Sequence, residues 1–313
     1  MATNKWTLAN IPAMDNKIVI VTGANSGLGY ETSKALAARG AQVIMACRTL
    51  EKGQHAADQI RRQVPAARLA VMTLDLANQA QIREFGYVFT AQYQSLDLLC
   101  NNAGVMATPY RTTVDGFELQ FGTNHLGHFA LTGLLMDTLL RTGKARIVTV
   151  SSGAHTMGNI NFDDLQRQKS YQRWEAYGQS KLANLLFAYE LQRKLEASGA
   201  EVISVVAHPG YAATNLQLVG PQMAGSSWQV AIMKVMNRLF AQHQAMGALP
   251  TLYAATSPDV RGGDYIGSDG LWEMRGYPTK VRSNDASHDE AVAGRLWKVS
   301  EELTGVRYKF TQI

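Results

Sequence analysis

Thr22-Gly23-Ala24-Asn25-Ser26-Gly27-Leu28-Gly29 is the stretch that decides the fold. It follows the apolar run Ile18-Val19-Ile20-Val21 and opens a segment of helical pattern. A strand, a glycine turn and a helix in that order form a seat for a dinucleotide. One glycine allows the tight turn, another lets backbone N–H groups reach a pyrophosphate, and a third lets helix and strand pack closely. The N-terminus of the helix then offers partial positive charge to the phosphates. Outward from this turn, short β-rich runs at 17–22, 42–46, 68–74, 96–101, 146–151 and 201–207 alternate with helical patterns at 28–39, 51–63, 79–93, 118–141 and 175–198. Most of the runs are apolar throughout, as when helices cover both faces of a parallel sheet. The alternation predicts an α/β, doubly wound (Rossmann) fold with right-handed crossovers.

No linker or repeat divides the 313 residues, so the chain reads as a single domain. Residues 17–207 form the dinucleotide-binding and catalytic core. Residues 211–247 read as a helical substrate lid, and 248–313 complete the domain with helices at 245–255 and 289–304 and a strand at 264–266. An apolar fraction of 46% with 18% charged residues is ordinary for a globular protein and excludes a disordered one. No apolar run reaches the roughly 18 residues of a membrane helix, and the first twenty residues lack a secretory pattern. Cys47 and Cys100, in a chain without targeting signals, point to a reducing, cytoplasmic setting. The net charge of +5 is spread along the chain, with no basic block to suggest nucleic acid.

The end of the second strand bears on the cofactor. An NAD site usually places a carboxylate there for the ribose hydroxyls. Here the stretch reads Ala46-Cys47-Arg48, and a guanidinium suits the 2′-phosphate of NADP(H). The alternative is a solvated arginine opening the next helix. Asp75-Leu76 is placed to meet an adenine ring, or Asp75 caps the following helix. Asn101-Asn102-Ala103-Gly104 ends the fourth strand, where small residues let the backbone approach a cofactor.

Tyr177 and Lys181 lie four apart, on one face of a helix. An ammonium beneath a phenol is expected to stabilise phenolate and to bring its pKa from about 10 towards neutrality. Tyr177 would then serve as acid or base near neutral pH. Ser151-Ser152 closes the fifth strand at the carboxyl edge of the sheet, where a hydroxyl can donate to a substrate oxygen. Asn124 can tie a water or carbonyl to Lys181. Singly, each has a plain structural alternative: a surface pair, a strand-end cap, a polar residue inside a helix.

Together these motifs and His208-Pro209-Gly210 resemble the short-chain dehydrogenase/reductase family over most of the chain. The resemblance implies that Ser152 polarises the carbonyl, Tyr177 transfers the proton, Lys181 binds ribose and Asn124 supports a proton relay. It also implies that Pro209, Gly210 and Thr214 contact the nicotinamide. Ala46-Cys47-Arg48, Asn124-His125-Leu126-Gly127-His128 and the 25-residue step from Ser152 to Tyr177 resemble the retinol dehydrogenase-like branch. That branch's members often act on retinoids or other lipophilic carbonyls, with NADP(H) common, and the subunit pairing common in the wider family implies a homo-oligomer through helices such as those at 118–141 and 175–198. The N-terminal hydrophobic anchor of many such enzymes is absent, and Ser26 stands where some NADP-preferring relatives carry a basic residue. Arg48 must then act alone or with Lys52.

Met157, Tyr211, Met223, Trp228, Met233, Met236 and Met246 supply soft apolar surface for a substrate pocket, or else core packing. His155 reads as a surface-loop histidine, or one that touches substrate. No paired histidine spacing suggests zinc, so no metal is expected. Tyr171 has Glu175 rather than a lysine four residues on, and is rejected as the proton-transfer group. Two alternatives to an NADP(H)-dependent carbonyl/alcohol oxidoreductase are a non-catalytic NADP-binding sensor and a light-dependent protochlorophyllide-type reductase.

Overall fold

A computed structural model describes residues 5–211 and 243–310. Eight strands form one sheet in the order β3-β2-β1-β4-β5-β6-β7-β8. They are β1 (Ile18–Thr22), β2 (Gln42–Cys47), β3 (Arg68–Thr73), β4 (Leu98–Asn101), β5 (Arg146–Val150), β6 (Ile203–Ala207), β7 (Tyr265–Ser268) and β8 (Pro278–Val281). All neighbours pair in parallel except β7 and β8. The helices are α1 (Gly27–Ala37), α2 (Leu50–Gln63), α3 (Gln79–Gln92), α4 (Leu119–Phe121), α5 (Gly127–Thr142), α6 (Arg173–Ala197), α7 (Gln244–Thr256) and α8 (Glu290–Thr304). This is the doubly wound α/β fold expected from the strand–helix alternation.

Successive residues of β1 serve opposite faces of the sheet, which is why the run is apolar throughout. Val19 and Val21 pack with Leu36 of α1, Ile60 of α2 and Leu252 of α7. Ile20 packs on the other side with Phe85 and Phe89 of α3, Phe129 of α5 and Leu191 of α6. Burying each large aliphatic or aromatic chain of this kind is worth about 1.5–3 kcal/mol relative to exposure. The order change between β1 and β4, from β1-β2-β3 on one side to β4-β5-β6 on the other, opens the crevice at the carboxyl ends of the strands.

Sequence and structure part at three places. β8 was not anticipated, because its first residue is Pro278; it pairs antiparallel to β7 at the sheet edge, where a missing N–H is tolerated. The long helix expected over 118–141 is interrupted by a π turn, Gly122–Leu126, between α4 and α5. The segment 212–242, most of the expected lid, lies outside the described residues, as do Thr214, Met223, Trp228, Met233 and Met236; residues 244–247 form the first turn of α7.

The middle of α6 is enclosed. Every residue from Ala176 to Tyr189 is buried. Phe187 stacks on Trp297 of α8 at 5.9 Å, and Tyr308 donates to the carbonyl of Phe129 at 2.6 Å, so α8 and the tail behind it close over α5 and α6. Among the described residues no helix is long and apolar enough to cross a membrane.

Candidate active site

The glycine turn is built by close approach. Gly23 and Gly27 adopt φ of +66° and +58°, a region other residues rarely enter. A Cβ on Gly29 would lie 2.4 Å from the Gly23 carbonyl oxygen, so that position admits only glycine. Ser26 takes the N-cap position of α1 in extended conformation, and its side chain makes no capping bond. Thr22, at the end of β1, organises the neighbouring strand end. Its Oγ1 accepts from the N–H groups of Asn102 and Ala103, both at 2.9 Å, while Asn102 Nδ2 donates to the Thr22 carbonyl at 2.7 Å.

Beside this turn lies a cavity of about 720 Å³. Gly23, Asn25, Arg48, Asp75, Leu76, Ala103 and Gly104 line it, joined by Lys52, Arg111 and Thr123. Three cations, Arg48, Lys52 and Arg111, thus face one carboxylate. Arg111 had no signal in the sequence; only the course of the chain after β4 brings it here. Asp75 is not a helix cap: its Oδ1 accepts from Ala77 N at 3.0 Å, and Asn78 caps α3 by accepting from Ala80 N and Gln81 N. Ser26, Gly27, Leu28, Gly29 and Asn102 shape the turn from behind and are not among the lining residues.

The π turn carries Thr123, which lines this cavity, and the fully buried Asn124. Gly122 and Gly127 flank it, each pressed against a neighbour that a Cβ would meet at 2.6 Å (Thr113 Cγ2) and 2.5 Å (the Leu76 carbonyl oxygen). The Asn124 amide exchanges hydrogen bonds with the Val105 backbone at 2.8 and 2.9 Å and donates to Ser180 Oγ at 2.9 Å. Its backbone carbonyl accepts from Nδ1 of His128 at 2.9 Å. Burial, opposed by that bond, holds His128 neutral with a pKa of about 4. A neutral ring protonated at Nδ1 must accept at Nε2, so Thr22 Oγ1, 3.0 Å away, is the donor.

Ser152, Tyr177 and Lys181 converge from β5 and α6. The turn Gly153–Met157 after Ser152 packs on α6 at Gly178, where a Cβ would lie 2.9 Å from the Ala154 carbonyl oxygen. Ser152 Oγ accepts from Ala154 N at 3.2 Å, and the Ser152 hydroxyl is hydrogen-bonded to the Tyr177 phenol. Lys181 Nζ donates to the Val150 carbonyl at 3.0 Å and lies 5.7 Å from the centre of the Tyr177 ring. Asn184 also donates to that carbonyl, at 3.2 Å. A Cβ on Gly104 would approach Asn124 Oδ1 at 3.0 Å and Lys181 Nζ at 3.8 Å, so the cavity and the Tyr–Lys pair adjoin.

The electrostatics differ from expectation. Burial pushes the Tyr177 phenol up to about 12, with the Ser152 hydroxyl pulling weakly the other way. Burial also brings the Lys181 ammonium down to about 8. Loss of hydration outweighs the attraction of the ammonium, whose hydrogen bond goes to Val150 rather than to the phenol oxygen. Tyr177 is therefore a protonated acid at neutral pH.

His155 is buried, not a surface-loop residue: Nδ1 donates to the Ser152 carbonyl at 2.7 Å and Nε2 accepts from Asn284 N at 3.2 Å. Pro209 and Gly210 follow β6, with Gly210 at φ +62° against the Met274 carbonyl. Tyr171 precedes α6, and its phenol is committed to the Thr108 carbonyl at 2.7 Å. No cluster of metal-binding side chains occurs among the described residues.

A glycine seat for phosphates beside a Ser–Tyr–Lys convergence defines a class of nicotinamide-dependent oxidoreductase. The chain belongs to the short-chain dehydrogenase/reductase family: the model described as short chain dehydrogenase matches residues 17–222. Its likeness is to the retinol dehydrogenases. Human retinol dehydrogenase 13 is 42% identical over 302 residues, covering 95% of this chain and 86% of that protein. Mouse retinol dehydrogenase 12 is 40% identical over 296 residues, covering 94% and 88%. Among solved structures, an uncharacterized protein from Mycobacterium paratuberculosis aligns with a TM-score of 0.81 at 42% identity, over 97% of this chain and 99% of that one. A short-chain dehydrogenase from Shigella flexneri, solved with NADP, shares the fold with a TM-score of 0.63 at 21% identity over 82% and 98%. The chain is thus a retinol dehydrogenase-like oxidoreductase that moves hydride between a nicotinamide cofactor and an alcohol or carbonyl carbon.

Proposed function

We propose that the chain reduces lipophilic aldehydes or ketones with NADPH, using Tyr177 as the proton donor. The observation that carries this reading is the convergence of Ser152, Tyr177 and Lys181 beside Gly104, at the end of the cavity that Gly23 and Arg48 line. The residues fit the cofactor: Gly23, which has no side chain to fill the seat, suits the pyrophosphate, and Arg48 with Lys52 suits a 2′-phosphate. Asp75 is occupied with Ala77 N and lies beyond β3, so no carboxylate at the end of β2 opposes that phosphate.

A nicotinamide cofactor, when bound, would supply the hydride. Ser152, its oxygen lone pair engaged by Ala154 N, directs its O–H to the carbonyl oxygen as negative charge grows there. Tyr177 then gives its proton to that oxygen, and the carbonyl becomes an alcohol. Lys181 would stabilise the phenolate left behind and hydrogen-bond the cofactor ribose, while Asn124, held by the Val105 backbone and Ser180, would support a relay through which water returns the proton to Tyr177. Burial keeps Tyr177 protonated beforehand, which suits the reductive direction.

Purified protein should consume NADPH with long-chain or aromatic aldehydes, read as loss of reduced-nicotinamide absorbance, and should use NADH at least about tenfold less efficiently. Tight NADPH binding with no turnover on such a panel would overturn the enzymatic reading. Equal efficiency with NADH would overturn the cofactor assignment.

A further inference from the structure

We propose that Trp174 is the wall against which the body of the substrate lies, and that it makes the enzyme favour flat, unsaturated carbonyl compounds over saturated chains of equal size. The inference rests on the reading of Tyr177 as the proton donor. Trp174 precedes Tyr177 by three residues, one turn earlier on the same face of α6. The two rings meet edge to face, with centroids 6.1 Å apart and planes at 78°. Tyr177 is enclosed at 4% exposure, whereas Trp174 is 46% exposed, so one part of the indole supports the proton donor and the rest is open.

Two further exposed apolar side chains flank the start of α6. Tyr110, 42% exposed, packs edge to face on Tyr171 at 5.2 Å. Tyr171 is itself fixed, donating to the Thr108 carbonyl and accepting from Gln120 Nε2 at 3.0 Å. Met157, 57% exposed, ends the turn that presses on Gly178 beside Tyr177. Scattered exposed apolar residues mean little, but an indole packed edge to face on the ring of the proton donor, with part of its surface open, borders the place where a reacting carbonyl compound would lie. An indole face attracts another π system through offset or edge-to-face stacking beyond what buried area provides, and a saturated chain gains only the area. The selectivity therefore lies in the ring, not in apolar character alone.

The test compares 3-phenylpropenal with nonanal, which have the same carbon count, in the wild type, Trp174→Ala and Trp174→Phe. In Trp174→Ala the KM for 3-phenylpropenal should rise about tenfold with kcat nearly kept, and the KM for nonanal should change less than about threefold. Trp174→Phe should recover most of the difference, and NADPH affinity should stay unchanged in both variants. Calorimetric binding of the unreactive 3-phenylpropenamide and nonanamide to the NADPH complex reads the same preference without turnover. Equal changes for both compounds, or none, or no binding of the unsaturated amide by the wild type, would overturn the role of Trp174. Unimpaired turnover in Tyr177→Phe would instead remove the reading beneath it.

Discussion

The Thr22 hydroxyl donates to Nε2 of His128 across 3.0 Å, and the same imidazole donates from Nδ1 to the Asn124 carbonyl. One buried ring thereby joins the strand end that seats the cofactor to the π turn that carries Asn124. His128→Leu takes the His128 donor from the Asn124 carbonyl and leaves the Thr22 hydroxyl only the longer bond to the Cys100 carbonyl, at 3.3 Å. Each buried polar group so stranded costs about 1–3 kcal/mol. A urea melt should show a loss of roughly 2–5 kcal/mol, and kcat should fall along with stability.

Gly178→Ala tests how tightly Ser152 is held against Tyr177. The new methyl would sit 2.9 Å from the Ala154 carbonyl oxygen and 3.0 Å from Gly158 N, both backbone atoms that cannot swing aside. The turn after Ser152 must shift by a few tenths of an ångström or more. Misplacement on the scale of 1 Å costs about a hundredfold in rate. Steady-state kinetics should show kcat reduced by ten- to a hundredfold, on the order set by that sensitivity, with NADPH affinity preserved.

Arg48→Glu should invert cofactor preference. A carboxylate at the end of β2 repels a 2′-phosphate and accepts from free ribose hydroxyls. The KM for NADPH should rise about tenfold or more, with that for NADH level or improved. Kinetics with both cofactors decide it; an unchanged ratio would place the 2′-phosphate elsewhere.

Much of this was legible in the sequence, and what was missed has common causes. The glycine turn, the parallel strands and the Tyr177–Lys181 pair are local patterns whose spacing alone fixes their geometry. β8 begins with a proline, so its edge position became visible only once β7 was in place. The π turn leaves the sequence looking like ordinary helix, because the insertion depends on Thr113 and Leu76 crowding two glycines. Arg111 reaches the cavity through the path of the loop after β4, which no periodicity records. The raised phenol pKa was missed for a different reason: spacing reports that an ammonium is near, but burial decides which charge survives.

The titration of Lys181 should appear twice. Its ammonium falls from 10.5 to about 8 on folding. Between those pH values the unfolded chain keeps a proton that the folded chain has released, so stability should rise with pH across that window. The kcat/KM for carbonyl reduction should fall above pH 8 as the ammonium is lost. Melts and pH–rate profiles of the wild type and Lys181→Met check both trends: the variant should lack the stability rise and the high-pH limb.

The most direct test of the account is Tyr177→Phe, a change that removes one oxygen and keeps the ring against Trp174. NADPH binding measured by titration should stay within about threefold of wild type, while single-turnover reduction of an aldehyde by the preformed complex should slow by about a hundred- to ten-thousandfold. A variant that binds NADPH and reduces the aldehyde at the wild-type rate would contradict it, since the transferred proton would then come from another group.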